Sequence, residues 1–102
     1  MIQHLVLFKL KDEAQGHSKK ENIEKAREIA SRFTSEISTC RSACIVENIP
    51  GTPESNEDIM LICTFDDLAG LRYYKDHPTH VEFGNFITSV REKRTCIDYE
   101  AE

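Results

Sequence analysis

The chain has 102 residues, of which 39% are hydrophobic and 30% charged, and its formal net charge is −5 at pH 7. This length predicts one domain, residues 1–102, with a single modest core. Because nucleic acids and anionic membranes attract clustered Lys and Arg, the acidic balance disfavours both as partners. No apolar run approaches the roughly 18 residues of a membrane span, and the N-terminus has no cleavage-site pattern. We therefore expect a cytoplasmic protein.

Strand patterns occur four times along the chain. The first, IQHLVLFKL at residues 2–10, is apolar on both faces of the predicted strand. Further strands are predicted over residues 43–49, 58–65 and 94–100, and the third is again apolar on both faces. One face of the first strand carries Ile2, His4, Val6, Phe8 and Leu10.

The first helical region follows a polar loop at residues 11–17. Ser18 and Glu21 match a capping box at its start. Apolar residues then recur at steps of three and four as far as position 37, and the pattern fades near residues 38–39. This stripe comprises Ile23, Ala26, Ala30, Phe33 and Ile37.

The second helical region is divided by a proline. Asp66 or Asp67 is predicted to cap a short helix, which ends at His77 because the residue before a proline avoids the helical region. Pro78 suits the first position of a new helix, which runs on to about Val90.

The predicted order β-α-β-β-α-β is the ferredoxin-like pattern, an α+β fold with a four-stranded antiparallel sheet and both helical regions on one face. The other face is left bare, yet two of its strands are apolar there, and water disfavours so large an apolar patch. A second copy of the chain is the simplest cover. We therefore predict a homodimer whose two sheets pack face to face as an α/β barrel, with an apolar pocket between the sheets. A different partner protein is the alternative cover.

The four cysteines lie at gaps that match neither a zinc pattern nor a redox CxxC pair. We predict mostly buried, reduced thiols, as in a reducing compartment. Cys63 and Cys96 lie within strands and are expected to be buried, whereas Cys40 and Cys44 are expected nearer the surface.

Candidate chemistry is concentrated at His4 in the first strand and at Tyr74 and His80, which flank the break at His77-Pro78. If Pro78 is the first helical residue, His80 is the third, where the positive helix end lowers the pKa of an imidazole. A neutral imidazole accepts a proton as a general base. The Tyr74 hydroxyl can hydrogen-bond a ligand oxygen and stabilise developing negative charge there.

Structural interpretations stand beside these roles. His77 suits a helix cap, and His4, Tyr74 and His80 also suit a core with satisfied polar atoms. His77 and His80 supply two metal ligands without a third, so no metal site is predicted. Because no phosphate loop or nicotinamide fingerprint is present, any catalysis is predicted to need no cofactor, or to use a metal that the sequence does not make evident. Acidic residues near the C-terminus are predicted to be solvated: Asp98, Glu100 and Glu102.

Three segments together resemble the stress-responsive α/β-barrel (Dabb) domain family over nearly the whole chain: MIQHLVLFKLK at residues 1–11, the strand end at 64–65, and Y-x-x-H-P-x-H-V at 74–81. The resemblance implies a dimeric α+β barrel. A plant polyketide cyclase of this family closes a linear polyketide by aldol condensation without a cofactor. Its similarity implies that His80 is the base and Tyr74 the hydrogen-bond donor to a substrate carbonyl, and that His4 lines the same pocket. We predict His4 and His77 as substrate-binding residues.

The sequence thus predicts a homodimeric barrel that binds a small apolar or carbonyl-containing molecule between its sheets, with cofactor-free acid/base chemistry of cyclase or lyase type. One alternative is a non-catalytic stress-response or assembly protein, in which the histidines are structural. A second alternative is a cofactor-independent oxygenase, because the related barrel superfamily includes such enzymes. These alternatives leave open whether the chain is an enzyme.

Overall fold

The computed structural model describes residues 1–101 as a four-stranded sheet with helices packed on one face. The elements are, in chain order, β1 (Ile2–Leu10), β2 (Glu13–Ala14), β3 (His17–Ser18), α1 (Lys19–Ala30), α2 (Phe33–Glu36), β4 (Cys40–Glu47), β5 (Ile59–Phe65), α3 (Leu68–Asp76), α4 (Pro78–Val90) and β6 (Arg91–Glu100). The sheet order is β4-β5-β1-β6, and every neighbouring pair is antiparallel. The predicted ferredoxin-like α+β fold is confirmed.

Strand β1 lies in the middle of the sheet and divides its side chains between two environments. His4, Val6, Phe8 and Leu10 are buried beneath the helices, whereas the residues between them are half-buried on the opposite face. This alternation follows from the two-residue period of an extended strand. Because β1 pairs with β5 on one side and β6 on the other, its register fixes which side chains of all three strands meet.

The helix boundaries follow from local capping. Ser18 and Glu21 form the predicted capping box at the start of α1. Asp67, rather than Asp66, caps α3 by accepting a hydrogen bond from the amide of Gly70 at 2.8 Å. Within the described chain, no helix combines the length and the apolar character that crossing a membrane requires.

The predicted boundaries differ most from the structure at three places. The first helix ends at Ala30, and a separate one-turn helix, α2, follows it; the Ser31 hydroxyl donates to the carbonyl of Glu28 at 2.5 Å, which competes with continuation of the helix. The apolar stripe still continues, because Phe33 and Ile37 are both buried. Strand β4 begins at residue 40 and β6 at residue 91, each three residues earlier than predicted.

The polar loop predicted after β1 contains the short β2–β3 hairpin. Its two turn residues, Gln15 and Gly16, both have positive φ, at 54° and 77°. Hairpins of this length favour such turns because their twist matches that of the strands. The hairpin leads directly into the capping box at Ser18.

The sheet face opposite the helices is apolar and uncovered in a single chain. Leu5, Leu7, Met60 and Ile62 are half-buried there, in register with one another across β1 and β5. On the two outer strands Val46 is 42% exposed, Ile97 57% and Tyr99 45%. We call this surface, carried by β1, β4, β5 and β6, the open face. It matches the bare apolar face that the strand patterns predict.

The cysteines are all free, but their burial differs in part from the prediction. Cys63 is buried as expected, whereas Cys40 is buried and Cys96 exposed. Cys96 is exposed because β6 is an edge strand that the helices leave uncovered, and all its residues after Arg91 are exposed. Contact with the Cys40 thiol and burial raise the pKa of the Cys63 thiol, which therefore behaves as an inert core group.

Candidate functional site

The structure brings His4, Tyr74 and His80 together on the helix side of the sheet. The ring centroids of Tyr74 and His80 lie 4.4 Å apart, and those of His4 and Tyr74 lie 5.9 Å apart. Strand β1 supplies His4, the last turn of α3 supplies Tyr74, and the first turn of α4 supplies His80. Three elements distant in sequence therefore converge at the break between α3 and α4.

His77 has a local structural role. Its Nδ1 accepts a hydrogen bond from the amide of Thr79 at 3.1 Å, which caps α4, and Pro78 occupies the first helical position as predicted. The capping contact satisfies one of the free amides at a helix start. Because this contact uses the histidine locally, the arrangement favours the capping interpretation of His77 over substrate binding.

Tyr74 is fully buried in an aromatic cluster. Its ring contacts those of Phe33 and Phe65, at centroid distances of 5.3 and 4.9 Å, in addition to the two histidines. Its hydroxyl lies 3.8 Å from the Cys63 sulfur, and burial raises the pKa of the phenol. In this arrangement the hydroxyl contacts the core. A donor role toward a substrate would require a neighbouring side chain to move aside.

His80 is held by a backbone contact. Its Nδ1 lies 3.0 Å from the carbonyl oxygen of Lys75 in the last turn of α3. A carbonyl only accepts, so Nδ1 carries the hydrogen, and the lone pair of the neutral ring is on Nε2. Burial lowers the pKa of His80 below its ordinary 6.5, against the opposing effect of the hydrogen bond to the Lys75 carbonyl, and the charges of Lys75 and Arg94 lower it further. The pKa shift has the predicted direction, but its main cause is desolvation of the imidazole and not the positive end of the helix.

Asp98 is a site residue that the sequence interpretation missed. It lies opposite His4 in the β1–β6 register, and its carboxylate accepts a hydrogen bond from Nδ1 of the buried His4. The Asp98 side chain is 36% exposed, because its contact with His4 removes part of it from solvent. A predicted pairing of the first and last strands would have placed an acidic residue beside His4. The sequence does not specify the register of that pairing, so Asp98 could not be identified from it. Glu102, grouped with it in the prediction, lies outside the described residues.

A small cleft lies between α4 and the β1–β6 edge of the sheet, and we call it the helix-side cleft. Its volume is about 150 Å³. Buried apolar side chains form its floor, and His4 and His80 lie on its wall together with two arginines. Its lining comprises His4, Val6, Phe8, Leu61, His80, Phe83, Gly84, Ile87, Thr88, Arg91 and Arg94.

The candidate residues do not line the space in which a pocket between two sheets would lie. We predicted a pocket between the sheets of a dimer, which would lie on the open face. His4, Tyr74 and His80 all lie beneath or among the helices, on the other side of the sheet. The reason is the strand alternation itself, because His4 shares its face with the core residues Val6 and Phe8. The candidate residues and a space between sheets therefore cannot form one site.

A wider groove, of about 910 Å³, borders the loop between β4 and β5. Its lysines share one carboxylate: Lys9 Nζ lies 3.8 Å and Lys19 Nζ 3.3 Å from Asp58 oxygens. These charges compensate one another, and the groove contains none of the candidate residues. The helix-side cleft is therefore the stronger candidate for chemistry.

One group of side chains could supply metal ligands. The donor atoms of His4, Cys96 and Asp98 lie within 4.8 Å of one another. Imidazole, thiolate and carboxylate together suit a borderline metal such as zinc. The His4 Nδ1 and the Asp98 carboxylate already bind each other, so a metal would have to replace that hydrogen bond. His77 and His80, which the sequence offers as two ligands without a third, are each engaged with backbone instead.

Comparison with protein-family models matches residues 2–101 to the stress responsive A/B barrel domain, Dabb. No curated protein sequence matches the chain. A dimeric protein of unknown function with a ferredoxin-like fold from Bacteroides fragilis is 30% identical, with a TM-score of 0.81 over 98% of this chain and 95% of that one. A Dabb family protein with a ferredoxin-like fold from Mesorhizobium loti is also 30% identical, with a TM-score of 0.74 over 99% of this chain and 96% of that one.

A hydroxynitrile lyase from Passiflora edulis is similar in structure, with a TM-score of 0.78 over 96% of this chain and 90% of that one. Its sequence identity is 15%, so the similarity concerns the fold alone. The fold therefore accommodates lyase chemistry in one protein, and the chemistry of this chain has to be argued from its own side chains.

Proposed function

Because the chain belongs to the stress responsive A/B barrel (Dabb) domain family, we propose that it binds a small carbonyl compound in the helix-side cleft and acts on it by cofactor-free acid/base chemistry of cyclase or lyase type. The observation that carries the proposal is the hydrogen bond from His80 Nδ1 to the Lys75 carbonyl. That bond leaves a basic nitrogen on a histidine that lines a cleft of ligand size.

His80 is the general base of the proposed reaction. Burial lowers its pKa, so the imidazole is largely unprotonated at neutral pH and ready to accept a proton. Nε2 takes a proton from a hydroxyl group or from a carbon beside a carbonyl. In the second case the C–H electron pair moves onto the carbonyl oxygen, and the resulting enolate attacks another carbonyl. In the first case the alkoxide becomes a carbonyl as the adjoining carbon–carbon bond breaks, and the electron pair of that bond leaves as an enolate or another stabilised carbanion. His80 then returns its proton to the product.

His4 lines the cleft, whereas Tyr74 contacts His80 from the core and is not part of the lining. Asp98 holds the ring of His4 through Nδ1, which leaves Nε2 as the atom available to a ligand. Tyr74 packs directly against the His80 ring and fixes its orientation. We also propose that the Tyr74 hydroxyl donates to the substrate oxygen once a ligand displaces the side chains around it.

The protein is proposed to act as a homodimer joined through the open face. Residues such as Ile97 and Tyr99 expose apolar surface there that a second sheet would bury. Dimeric structural relatives with the same fold support this assignment. In such an assembly the helix-side cleft stays on the outside of each sheet pair, where small molecules can reach it.

Proton abstraction can be tested without knowing the natural substrate. Small ketones in deuterated water exchange the hydrogens beside their carbonyl when a base removes them, and proton NMR follows the loss of signal. We expect the wild-type protein to accelerate this exchange and His80→Ala to reduce the acceleration by about 100-fold or more. His17→Ala is the matched control, because His17 lies exposed on the hairpin. Equal exchange by the wild-type protein and His80→Ala would contradict the proposed base.

A non-catalytic assembly protein is the second candidate function. The observation that favours it is the full burial of Tyr74, whose hydroxyl contacts Cys63, together with the capping role of His77. In this case His80→Ala would lower stability, and the wild-type protein would not accelerate exchange. Oxygen consumption in the same samples would instead indicate the cofactor-independent oxygenase.

A further inference from the structure

We propose that the substrate carries a carboxylate, which Arg94 and Arg91 bind at the helix-side cleft. This inference rests on the proposed function and names its substrate class, a small oxo acid. Both arginines line the cleft together with His80. A molecule held by a guanidinium would thus present its carbonyl to the base on the same wall.

Arg94 is placed toward the cleft by the strand register. It lies opposite Phe8 in the β1–β6 pairing, on the side of the sheet that carries His4 and Asp98. Successive side chains of a strand alternate between faces, so Arg94, Cys96 and Asp98 share the helix side. Arg94 is exposed, and its guanidinium can reach both solvent and a ligand in the cleft.

Arg91 lies at the junction of α4 and β6. It is half-buried, and the β1–β6 register shifts beside it, between Lys9 and Leu10. Its Nε is buried and, among residues 1–101, has no hydrogen-bond acceptor. A buried donor without a partner is unfavourable, so a bound carboxylate oxygen would supply the acceptor that Arg91 Nε lacks.

The charge of both arginines is uncompensated in the described part of the chain, where neither forms an ion pair. Three other arginines do pair with carboxylates, at N···O distances of 2.6 or 2.7 Å: Arg27 with Glu47, Arg32 with Glu82, and Arg41 with Asp66. The chain has a net charge of −5, so two free guanidiniums beside one cleft stand out against the overall charge. A guanidinium binds a carboxylate through two parallel hydrogen bonds, which suits an acid better than a neutral ligand.

The cleft also limits the size of the ligand. Its volume is about 150 Å³, and an apolar protein cavity of about 150 Å³ holds a molecule the size of benzene. The linear polyketide that the family resemblance implies is longer than this. A short oxo acid, with its carbonyl a few bonds from its carboxylate, fits both the volume and the charge.

The test compares an acid with its neutral isostere on the full chain. Titration calorimetry measures the binding of 4-oxopentanoate and 4-oxopentanamide, which share a ketone and nearly the same shape but differ in charge. We expect the acid to bind about tenfold more tightly or better, because hydrogen bonds from a guanidinium to a carboxylate are stronger than those to a neutral amide. We also expect added salt to weaken the acid's binding and leave the amide's unchanged.

Variants then assign the preference to the two arginines. Arg94→Gln and Arg91→Gln should each reduce the preference for the acid, and the double variant should remove it. Arg72→Gln is the control, since Arg72 is an exposed α3 residue outside the cleft. Equal binding of acid and amide to the wild-type protein, no binding of the acid at millimolar concentration, or an unchanged preference in the double variant would each overturn the proposal. Tighter binding of inorganic phosphate than of the acid would overturn the assignment to carboxylates.

His80→Ala separates this proposal from the proposed function. The imidazole is the base and not the anion-binding group, so this variant should still bind the acid more tightly than the amide. Acid-selective binding without catalysed proton exchange would reject the base and keep the anion site. Catalysed exchange with equal binding of acid and amide would reject the anion site and keep the base.

Discussion

The Nδ1 atom of His80 lies 3.0 Å from the backbone carbonyl oxygen of Lys75, across the turn between α3 and α4. The last carbonyls of a helix have no partner within it, so the imidazole satisfies one of them while the carbonyl fixes the ring tautomer. The break at His77-Pro78 makes this contact possible, because it starts a new helix with His80 in its first turn. This single contact therefore stabilises the junction between α3 and α4 and leaves the Nε2 lone pair of His80 free to accept a proton.

Two variants of Tyr74 separate the contribution of its ring to stability from that of its hydroxyl. Tyr74→Phe should lower the free energy of unfolding by less than about 1 kcal/mol, since it loses only the contact with the Cys63 thiol. Tyr74→Ala should lower it by about 3–5 kcal/mol, because it empties the centre of the aromatic cluster. Urea unfolding measures both. Similar losses in the two variants would show that the hydroxyl, and not the packing of the ring, dominates.

Asp98 should stabilise the fold through its hydrogen bond to the buried His4. We expect Asp98→Ala to lower the free energy of unfolding by about 1–2 kcal/mol, because a buried imidazole nitrogen loses its acceptor. Glu92→Ala, an exposed acidic position on the same strand, should change it by less than about 0.5 kcal/mol. If the two variants were equally stable, the contact between Asp98 and His4 would have no energetic role.

Gly84 allows the cleft to be filled without disturbing the helix. It lies in α4 and lines the cleft, and a Cβ added there meets no atom within 4 Å. Gly84→Ala should therefore raise the free energy of unfolding by about 0.5–1 kcal/mol through helix propensity. Gly84→Leu should instead occupy the cleft and abolish binding of 4-oxopentanoate. Undiminished binding by a folded Gly84→Leu variant would place the ligand elsewhere.

Ile97 tests the role of the open face. Ile97→Asp places a carboxylate in the proposed dimer interface, where its desolvation is unfavourable, and sedimentation velocity should show monomers. Val81→Asp is the control, because Val81 is similarly exposed but lies on α4. We expect this variant and the wild-type protein to sediment as dimers at micromolar concentration. A monomeric wild-type protein would contradict the predicted homodimer.

Much of the fold follows from patterns within single segments. Three local patterns each specify one element, and all three are confirmed. They are the alternation in β1, the capping box at Ser18, and the helix cap followed by proline at His77-Pro78. The candidate site depends on contacts between segments, which such patterns do not contain. Asp98 was assigned to solvent because nothing in its own strand indicates that His4 lies opposite.

The same limit explains why the candidate residues and the predicted pocket lie on different faces of the sheet, and why the burial of two cysteines was predicted wrongly. The apolar faces of β1 correctly indicate an uncovered apolar surface on the open face, but they do not reveal which face holds the cleft. Cys96 belongs to a strand and was expected to be buried, yet strand position says nothing about whether helices reach that edge. Arg91 and Arg94 gave no signal in the sequence, because a charged residue near a strand start is ordinarily solvated.

The lowered pKa of His80 sets the expected pH dependence. In the unfolded chain the imidazole titrates near its ordinary 6.5, and in the folded chain it titrates lower. Between these two values the unfolded state binds more protons, so the His80 contribution to stability is present above pH 6.5 and is lost as the pH falls toward the folded value. Base-catalysed exchange should likewise rise with pH through the folded value and level off near neutrality.

NMR titration of the His80 imidazole tests this account most directly, because it needs no substrate. Nitrogen-15 labelling of the ring reports both the pKa and the position of the hydrogen in the neutral form. We predict a His80 pKa below 6.5 and, in the neutral ring, a hydrogen on Nδ1 directed at the Lys75 carbonyl. A pKa at or above 6.5, or a neutral ring with its hydrogen on Nε2, would contradict the role of His80 as the base.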